Sequence, residues 1–263
     1  FYYDEKTKIL YLPRGYDINI IAEQTGKPIH FVPNQRPTAR YHFNVGTEPR
    51  DEYKKEMIRY LSAQGEYRNM MLASQQVLSL PTRSGKTYCT IAATGLLESR
   101  AIVIVNRDTL RKQWVDEIIM HTQLSPKNVI SIDSSEFFSG YGDLNRLARK
   151  LKNVYIFVTT HRTIHNAMKL YGFDCVDKLL KALNVGIKIV DEAHIEFKNT
   201  LMTDYATNVW KTFYLTATFA RSDDKENQIF QRSFNQVIKV AKQNPEREKT
   251  VRLFMVSFRT RSN

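Results

Sequence analysis

The sequence predicts an α/β fold: a mostly parallel sheet with helices on both faces, preceded by a small β-rich appendage. Three observations predict it. Apolar runs such as Ala101-Ile102-Val103-Ile104-Val105 and Val154-Tyr155-Ile156-Phe157-Val158 alternate with stretches of helical periodicity, the pattern of parallel strand–helix–strand units. One run, Val77-Leu78-Ser79-Leu80, passes through a tight loop into Gly85-Lys86-Thr87 and a helix. Another, Ile187-Lys188-Ile189-Val190, ends in two carboxylates, Asp191 and Glu192. In open parallel sheets chemistry collects beyond the carboxyl ends of the strands. Gly85, Asp191 and Thr216 all fall at such ends.

Composition sets the outer bounds. A chain of 263 residues, 42% hydrophobic, suffices for one large domain with an appendage. No run is long enough to span a membrane, and no secretory signal pattern opens the chain. Two cysteines, Cys89 and Cys175, suggest a reducing, cytoplasmic setting. Neither they nor the histidines show zinc spacing. A net charge of +12 favours a polyanionic partner, nucleic acid before membrane.

From Phe1 to about Gly46 the chain reads as strands: Ile9–Leu12, Ile18–Ile21, Ile29–Val32 and Tyr41–Val45, separated by turn signals such as Pro13-Arg14-Gly15. Tyr11, Arg14, Phe31, Arg36 and Arg40 are candidates for a duplex-binding face, with packing of a small core as the competing role. Thr47-Glu48-Pro49 marks a boundary, and a helix with Met57, Ile58 and Leu61 follows.

The loop Pro81-Thr82-Arg83-Ser84-Gly85-Lys86-Thr87 has the strand–loop–helix setting of a phosphate-binding loop. Backbone N–H groups and the positive helix end point into such a loop and suit a polyphosphate. Lys86 would reach the terminal phosphates and Thr87 would ligate Mg²⁺. Leu80 stands where the general pattern has glycine, and a plain surface turn is the competing reading.

Downstream, Ala101–Val105 is a buried strand, and a helix with Leu110, Trp114 and Ile118 follows. Val129–Ile132 is a short strand, Ser134–Asp143 a Ser/Gly loop and Leu144–Lys152 a basic helix. Val154–Val158 is a strand ending at Thr159-Thr160-His161, and two helices lead to the Asp191 strand. There Asp191 can hold Mg²⁺ through its water shell. Glu192 can polarise an attacking water beside a γ-phosphate. The competing role is an acidic strand end facing solvent. Asn199–Lys211 is expected to be helical, Thr212–Leu215 a strand running into Thr216-Ala217-Thr218, Glu226–Phe234 a helix and Val251–Phe258 a strand.

Lys86-Thr87, Asp191-Glu192-Ala193-His194 and Leu215-Thr216-Ala217-Thr218, in this order, resemble superfamily 2 helicases. The resemblance is to the first RecA-like motor domain, with a DEAH-box motif, and runs from roughly Pro49 to the C-terminus. Within that superfamily the chain is most similar to phage branched-DNA helicases, repair helicases and restriction-enzyme translocases. The resemblance implies an ATP-dependent DNA helicase or translocase using ATP and Mg.

Carried over residue by residue, it makes Lys86 and Glu192 catalytic and Thr87 and Asp191 metal-binding. Pro81, Thr82, Arg83, Ser84, Gly85, Lys86 and Thr87 would hold the nucleotide. Arg50 and Tyr53 would sit by the adenine, with Tyr53 in the place of the family's glutamine. His194, Thr216 and Thr218 would couple hydrolysis to movement. Asn106 and Arg107, in place of the family's Pro-Thr, with Thr159 and Thr160, would contact the nucleic-acid backbone.

The expected division is residues 1–46 as appendage, 47–245 as ATP-binding domain and 246–263 as the passage into a second motor domain. Phe1 in place of methionine and the end at Asn263 suggest a fragment whose second motor domain follows in cis. DNA is favoured over RNA as partner, in a bacterial host cytoplasm if the origin is a phage. Three other readings compete: a translocase subunit of a restriction or remodelling complex, an RNA helicase, and a nucleic-acid-binding module with a degenerate ATPase.

Overall fold

The computed structural model describes residues 2–5, 8–12, 18–28, 34–46, 48–49, 51–195, 197–217, 224–234 and 237–238. Arg14, Ile29–Val32, Thr47, Arg50, Thr218 and Val251–Phe258, singled out above, lie outside these residues.

The N-terminal part contains an antiparallel hairpin of β1 (Tyr2–Asp4) and β2 (Ile9–Tyr11), then α1 (Ile18–Thr25). After α2 (Glu52–Ser62) the chain alternates strand and helix. It runs β3 (Gln75–Ser79), α3 (Lys86–Leu96), β4 (Arg100–Val105), α4 (Asp108–His121) and β5 (Val129–Ser131). It continues through α5 (Leu144–Lys150), β6 (Ile156–Thr160), α6 (His161–Tyr171), α7 (Cys175–Ala182) and β7 (Val185–Val190). Last come α8 (Phe197–Tyr205), β8 (Lys211–Thr216), α9 (Asp224–Ser233) and β9 (Val237–Ile238).

The main sheet has seven strands in the order β5-β6-β4-β7-β8-β3-β9, and every described pairing in it is parallel. Strands β4, β7 and β8 are buried along their whole length, as parallel strands covered on both faces must be. Side chains alternate between the faces. Ala101, Val103 and Val105 join the core beneath α2, α3 and α4, where Met57, Ile91 and Trp114 pack. Ile102 and Ile104 join the opposite core with Phe157, Ile164, Val176 and Leu179. The expected α/β architecture, a parallel sheet between two helical layers, is therefore present.

Charge is buried where it supports the sheet. Lys188 Nζ, on β7, donates to Thr207 Oγ1 at 2.7 Å and to Asp204 Oδ1, while Tyr214 Oη, on β8, donates to Asp204 Oδ2 at 2.7 Å. A buried ion is tolerated only when its partners satisfy it. This network fixes α8 beneath the two strands that lead into Asp191 and Thr216.

The N-terminal region departs from its expected β-rich form. Ile18–Ile21 begins a helix, since Ile18, Ile21 and Ala22 fall at helical spacing in α1. Tyr41–Val45 forms no strand, only a single antiparallel bridge between Val45 and Thr122. Strand propensity counts for little without a neighbouring edge. Instead Phe43 is buried in the core against α3, and Gly95 permits the approach. A Cβ on Gly95 would lie 2.7 Å from the Phe43 carbonyl oxygen.

Of the aromatic and basic residues singled out here, Arg40 is exposed, while Arg36 and Tyr11 are engaged in packing. Arg36 stacks over Trp210, with its guanidinium carbon 5.1 Å from the ring centroid, and donates to the Leu97 carbonyl. Tyr11 packs edge-on against Phe173 with centroids 5.5 Å apart. The stretch Ser134–Asp143 is likewise more than a loop. It winds into 3-10 turns that bury Phe137 and Phe138.

Candidate nucleotide site and adjoining strand ends

Three strand ends converge on one place. Beyond β3, Leu80 N donates to the Thr216 carbonyl at 3.0 Å, so the loop starts bound to the end of β8. Beyond β7, Ala193 N donates to the Leu215 carbonyl at 3.0 Å, which ties the acidic segment to the same strand. Pro81 and Thr82 carry the chain outward. Arg83 (φ 62) and Gly85 (φ 86) then turn it back in left-handed conformations. Gly85 is favoured by its φ, and Lys54 Cε packs over it, 3.0 Å from where a Cβ would lie. Gly85 caps α3, so Lys86 and Thr87 form its first turn.

Lys86 is buried. Its Nζ donates to the Leu80 carbonyl at 2.9 Å and lies 3.8 Å from Glu192 Oε1. Burial pushes its pKa down, against the opposing charges of Glu192 and Asp191. Burial pushes the Asp191 carboxyl up, and the Trp114 indole N–H works against that by donating to Oδ2 at 2.8 Å. Asp191 Oδ1 accepts from Glu192 N at 3.0 Å. Glu192 itself has φ 48, a left-handed conformation unusual for a non-glycine residue and a form of strain that gathers at working sites. Asp191 and Thr87 line one small cavity together with Gln113, Trp114 and Glu117.

The surroundings fit a polyphosphate with a hard cation. The Ser84 hydroxyl is buried and has no hydrogen-bond partner among the described residues. Glu192 Oε2 lies 3.3 Å from His194 Nδ1 without forming a hydrogen bond. No group of three or more His, Cys, Asp or Glu side chains among the described residues forms a metal cage. A Mg²⁺ held by one or two protein oxygens plus substrate phosphates needs none.

Sequence reasoning missed two residues. It read Trp114 as a helix-face apolar residue, yet Trp114 holds Asp191; the available signal was that a buried indole N–H needs an acceptor. It also missed Lys54, which covers Gly85 and pairs with Asp51 at 2.8 Å. Tyr53, expected beside a base, donates its hydroxyl to the Ser84 carbonyl at 3.1 Å and so holds the loop itself. His194 Nδ1 and Thr216 Oγ1 are 2.9 Å apart.

Of the expected backbone-contacting residues, Asn106 and Arg107 follow β4, and Arg107 is exposed at the N-terminus of α4. The two threonine side chains do not face outward. Thr159 is fully buried and donates to the Ile132 carbonyl at 3.2 Å. Thr160 caps α6 by accepting from Thr163 N at 3.2 Å. Exposure on this helix passes instead to Arg162, Asn166 and Lys169.

Residues 48–221 match the family model described as type III restriction enzyme, res subunit. The chain belongs to this family. Among curated relatives of this res-subunit domain is the general transcription and DNA repair factor IIH helicase/translocase subunit XPB of Enterocytozoon bieneusi, 27% identical over 157 residues. That match takes in 58% of this chain and 25% of the relative. A putative DNA 3'-5' helicase Rad25 of Haloarcula marismortui is 25% identical over 150 residues, 57% of this chain and 21% of the relative. The chain thus spans a quarter or less of the curated relatives it matches. In fold it is similar to the UvsW helicase from bacteriophage T4, with a TM-score of 0.54 at 15% identity, covering 86% of this chain and 78% of that one. The res-subunit family and these relatives agree with the superfamily 2 resemblance.

Proposed function

We propose that this chain is an ATP-dependent DNA helicase or translocase motor domain, with residues 47–245 forming the ATP-binding unit. The observation that carries the reading is the meeting of Lys86 and Glu192, 3.8 Å apart, beside the cavity shared by Thr87 and Asp191. A cation for the terminal phosphates, a hydroxyl and a carboxylate for a metal, and a second carboxylate for a water are the parts that phosphoryl transfer to water requires.

In this reading the loop N–H groups and the Ser84 hydroxyl receive phosphate oxygens. Lys86 exchanges the Leu80 carbonyl for the terminal phosphates. Thr87 and Asp191 hold Mg²⁺, which when bound would neutralise charge on the phosphates. Glu192 orients the attacking water and takes its proton. Tyr53 steadies the loop from α2. Arg107, beside Asn106 after β4, tracks the nucleic-acid backbone. The DNA preference is supported by the names of the relatives. A second motor domain in cis would complete the engine, and the relatives, of which this chain spans a quarter or less, have the length for one.

A nucleic-acid-binding module with a degenerate ATPase is disfavoured, because Lys86, Thr87, Asp191 and Glu192 are both intact and assembled. Lys86→Ala tests the reading. Fluorescent-nucleotide titration with Mg²⁺ should show loss of ATP binding, and unchanged affinity would refute the assignment of this loop.

A further inference from the structure

On the carboxyl side of the sheet, the ends of β4 and β6 border a polar cavity of about 220 Å³. Asn106 and His161 line it from the strand ends, Asn199 from α8, and Arg162 and Lys169 from the exposed face of α6. No carboxylate lines it among the described residues. Among its lining residues, Asn106 Oδ1 and His161 Nε2 are buried and make no hydrogen bond among the described residues, and His165 lines the cavity beside them. The His161 side chain is almost wholly enclosed, at 2% exposure.

The protonation of His161 follows from its neighbour. Thr203 Oγ1 gives its one proton to the Asn199 carbonyl at 2.9 Å. It lies 3.5 Å from His161 Nδ1 and can only accept there. A ring proton on Nδ1 matches that arrangement and would leave Nε2 as an acceptor. Burial, helped by the nearby His165 and Lys188 charges, lowers the ring's pKa to about 3 and keeps it neutral.

The cavity thus offers buried acceptors inside and cations outside. A phosphate, itself an acceptor, gains nothing from Asn106 Oδ1 or His161 Nε2. A ligand with N–H donors at one end and an anion at the other satisfies both, and an unpaired nucleotide is such a ligand. We propose that this cavity receives one unstacked, amino-bearing base of a bound single strand through Asn106 and His161, with its phosphate on Arg162 and Lys169. The proposal rests on the nucleic-acid-binding reading above and adds base contact to a surface expected to touch only the backbone. Adenine and cytosine carry an amino group with two N–H donors; thymine offers a single N3–H, and an abasic sugar offers no base donor at all.

The test is equilibrium binding of the full chain to dA, dC and dT oligonucleotides of one length, and to a dC oligonucleotide with abasic positions, across a salt series. Loss of one hydrogen bond from a buried acceptor corresponds to roughly tenfold in affinity. dA and dC should therefore bind about that much more tightly than dT, which lacks one of the two donors, and more tightly still than the abasic strand, which lacks both. Asn106→Leu and His161→Phe should erase the difference and leave the slope of log K against log salt unchanged. Because His161 is buried, Asn106→Leu carries the test if the histidine variant melts early. Arg162→Ala and Lys169→Ala should each flatten the slope by about 0.7 and keep the base preference. Equal affinity for all four strands, or a preference that survives Asn106→Leu, overturns the base pocket. Absence of binding to any strand at low salt overturns the nucleic-acid reading beneath it.

Discussion

His194 Nδ1 lies 2.9 Å from the Thr216 hydroxyl, which links the acidic segment after β7 to the end of β8. Thr216 also accepts from Leu80 N through its carbonyl, so one residue touches both the acidic segment and the start of the phosphate loop. In the proposed mechanism, a shift at Glu192 on hydrolysis would thereby pass to a neighbouring strand end. Thr216→Val keeps the carbonyl and the volume and removes the hydroxyl. It should cost about 1 kcal/mol at this link. DNA displaced per ATP hydrolysed should fall several-fold, while ATP affinity should be nearly unchanged. Measuring both on one preparation of the full-length protein checks it; an unchanged ratio would remove His194 and Thr216 from coupling.

Tyr53 holds the phosphate loop by donating to the Ser84 carbonyl at 3.1 Å. Tyr53→Phe deletes that bond and preserves the ring. One neutral hydrogen bond is worth about 0.5–1.5 kcal/mol, or roughly 2- to 12-fold in affinity if it acts only on the loop. The KM for ATP should rise by that factor with little change in melting temperature. Tyr53→Gln, which restores the family's usual residue, should not rescue it, because the shorter side chain lacks the reach. Full rescue by glutamine would place position 53 at the base rather than at the loop.

Trp114 opposes the effect of burial on Asp191. Burial raises the Asp191 pKa, and the indole N–H lowers it by stabilising the carboxylate. Trp114→Phe removes only the lowering contribution, so the pKa must rise further. Mg²⁺ requires the ionised form. The acid limb of Mg²⁺-dependent ATP binding should therefore move to higher pH in the variant, with the plateau at high pH preserved. Titrations across the acid range compare the midpoints; a shift to lower pH would contradict the sign.

The sheet and the strand–loop–helix geometry of the candidate site were legible because local pattern and global fold agree there. The buried runs at β4, β7 and β8 can only be central parallel strands, and Gly85-Lys86-Thr87 can only open a helix with that glycine's geometry. The N-terminal part was not legible, because its conformation is set by where it docks. Phe43 is held by a groove on α3 that exists only after folding, and Arg36 by Trp210 from a distant part of the chain. The same holds for Thr159: a strand-end threonine reads as a surface donor until the fold places Ile132 beside it.

The central claim is that Glu192 activates the water that attacks ATP held by Lys86. Single-turnover hydrolysis of bound ATP in the full-length protein, wild type against Glu192→Gln, tests it most directly. The substitution keeps the volume and removes the negative charge 3.8 Å from Lys86. ATP affinity should be unchanged or somewhat tighter, because one anion near the phosphates is gone. The hydrolysis step should slow by about 10²–10⁴, the usual contribution of a general base. Turnover of the Glu192→Gln protein at the wild-type rate, with ATP bound equally well, would contradict the account.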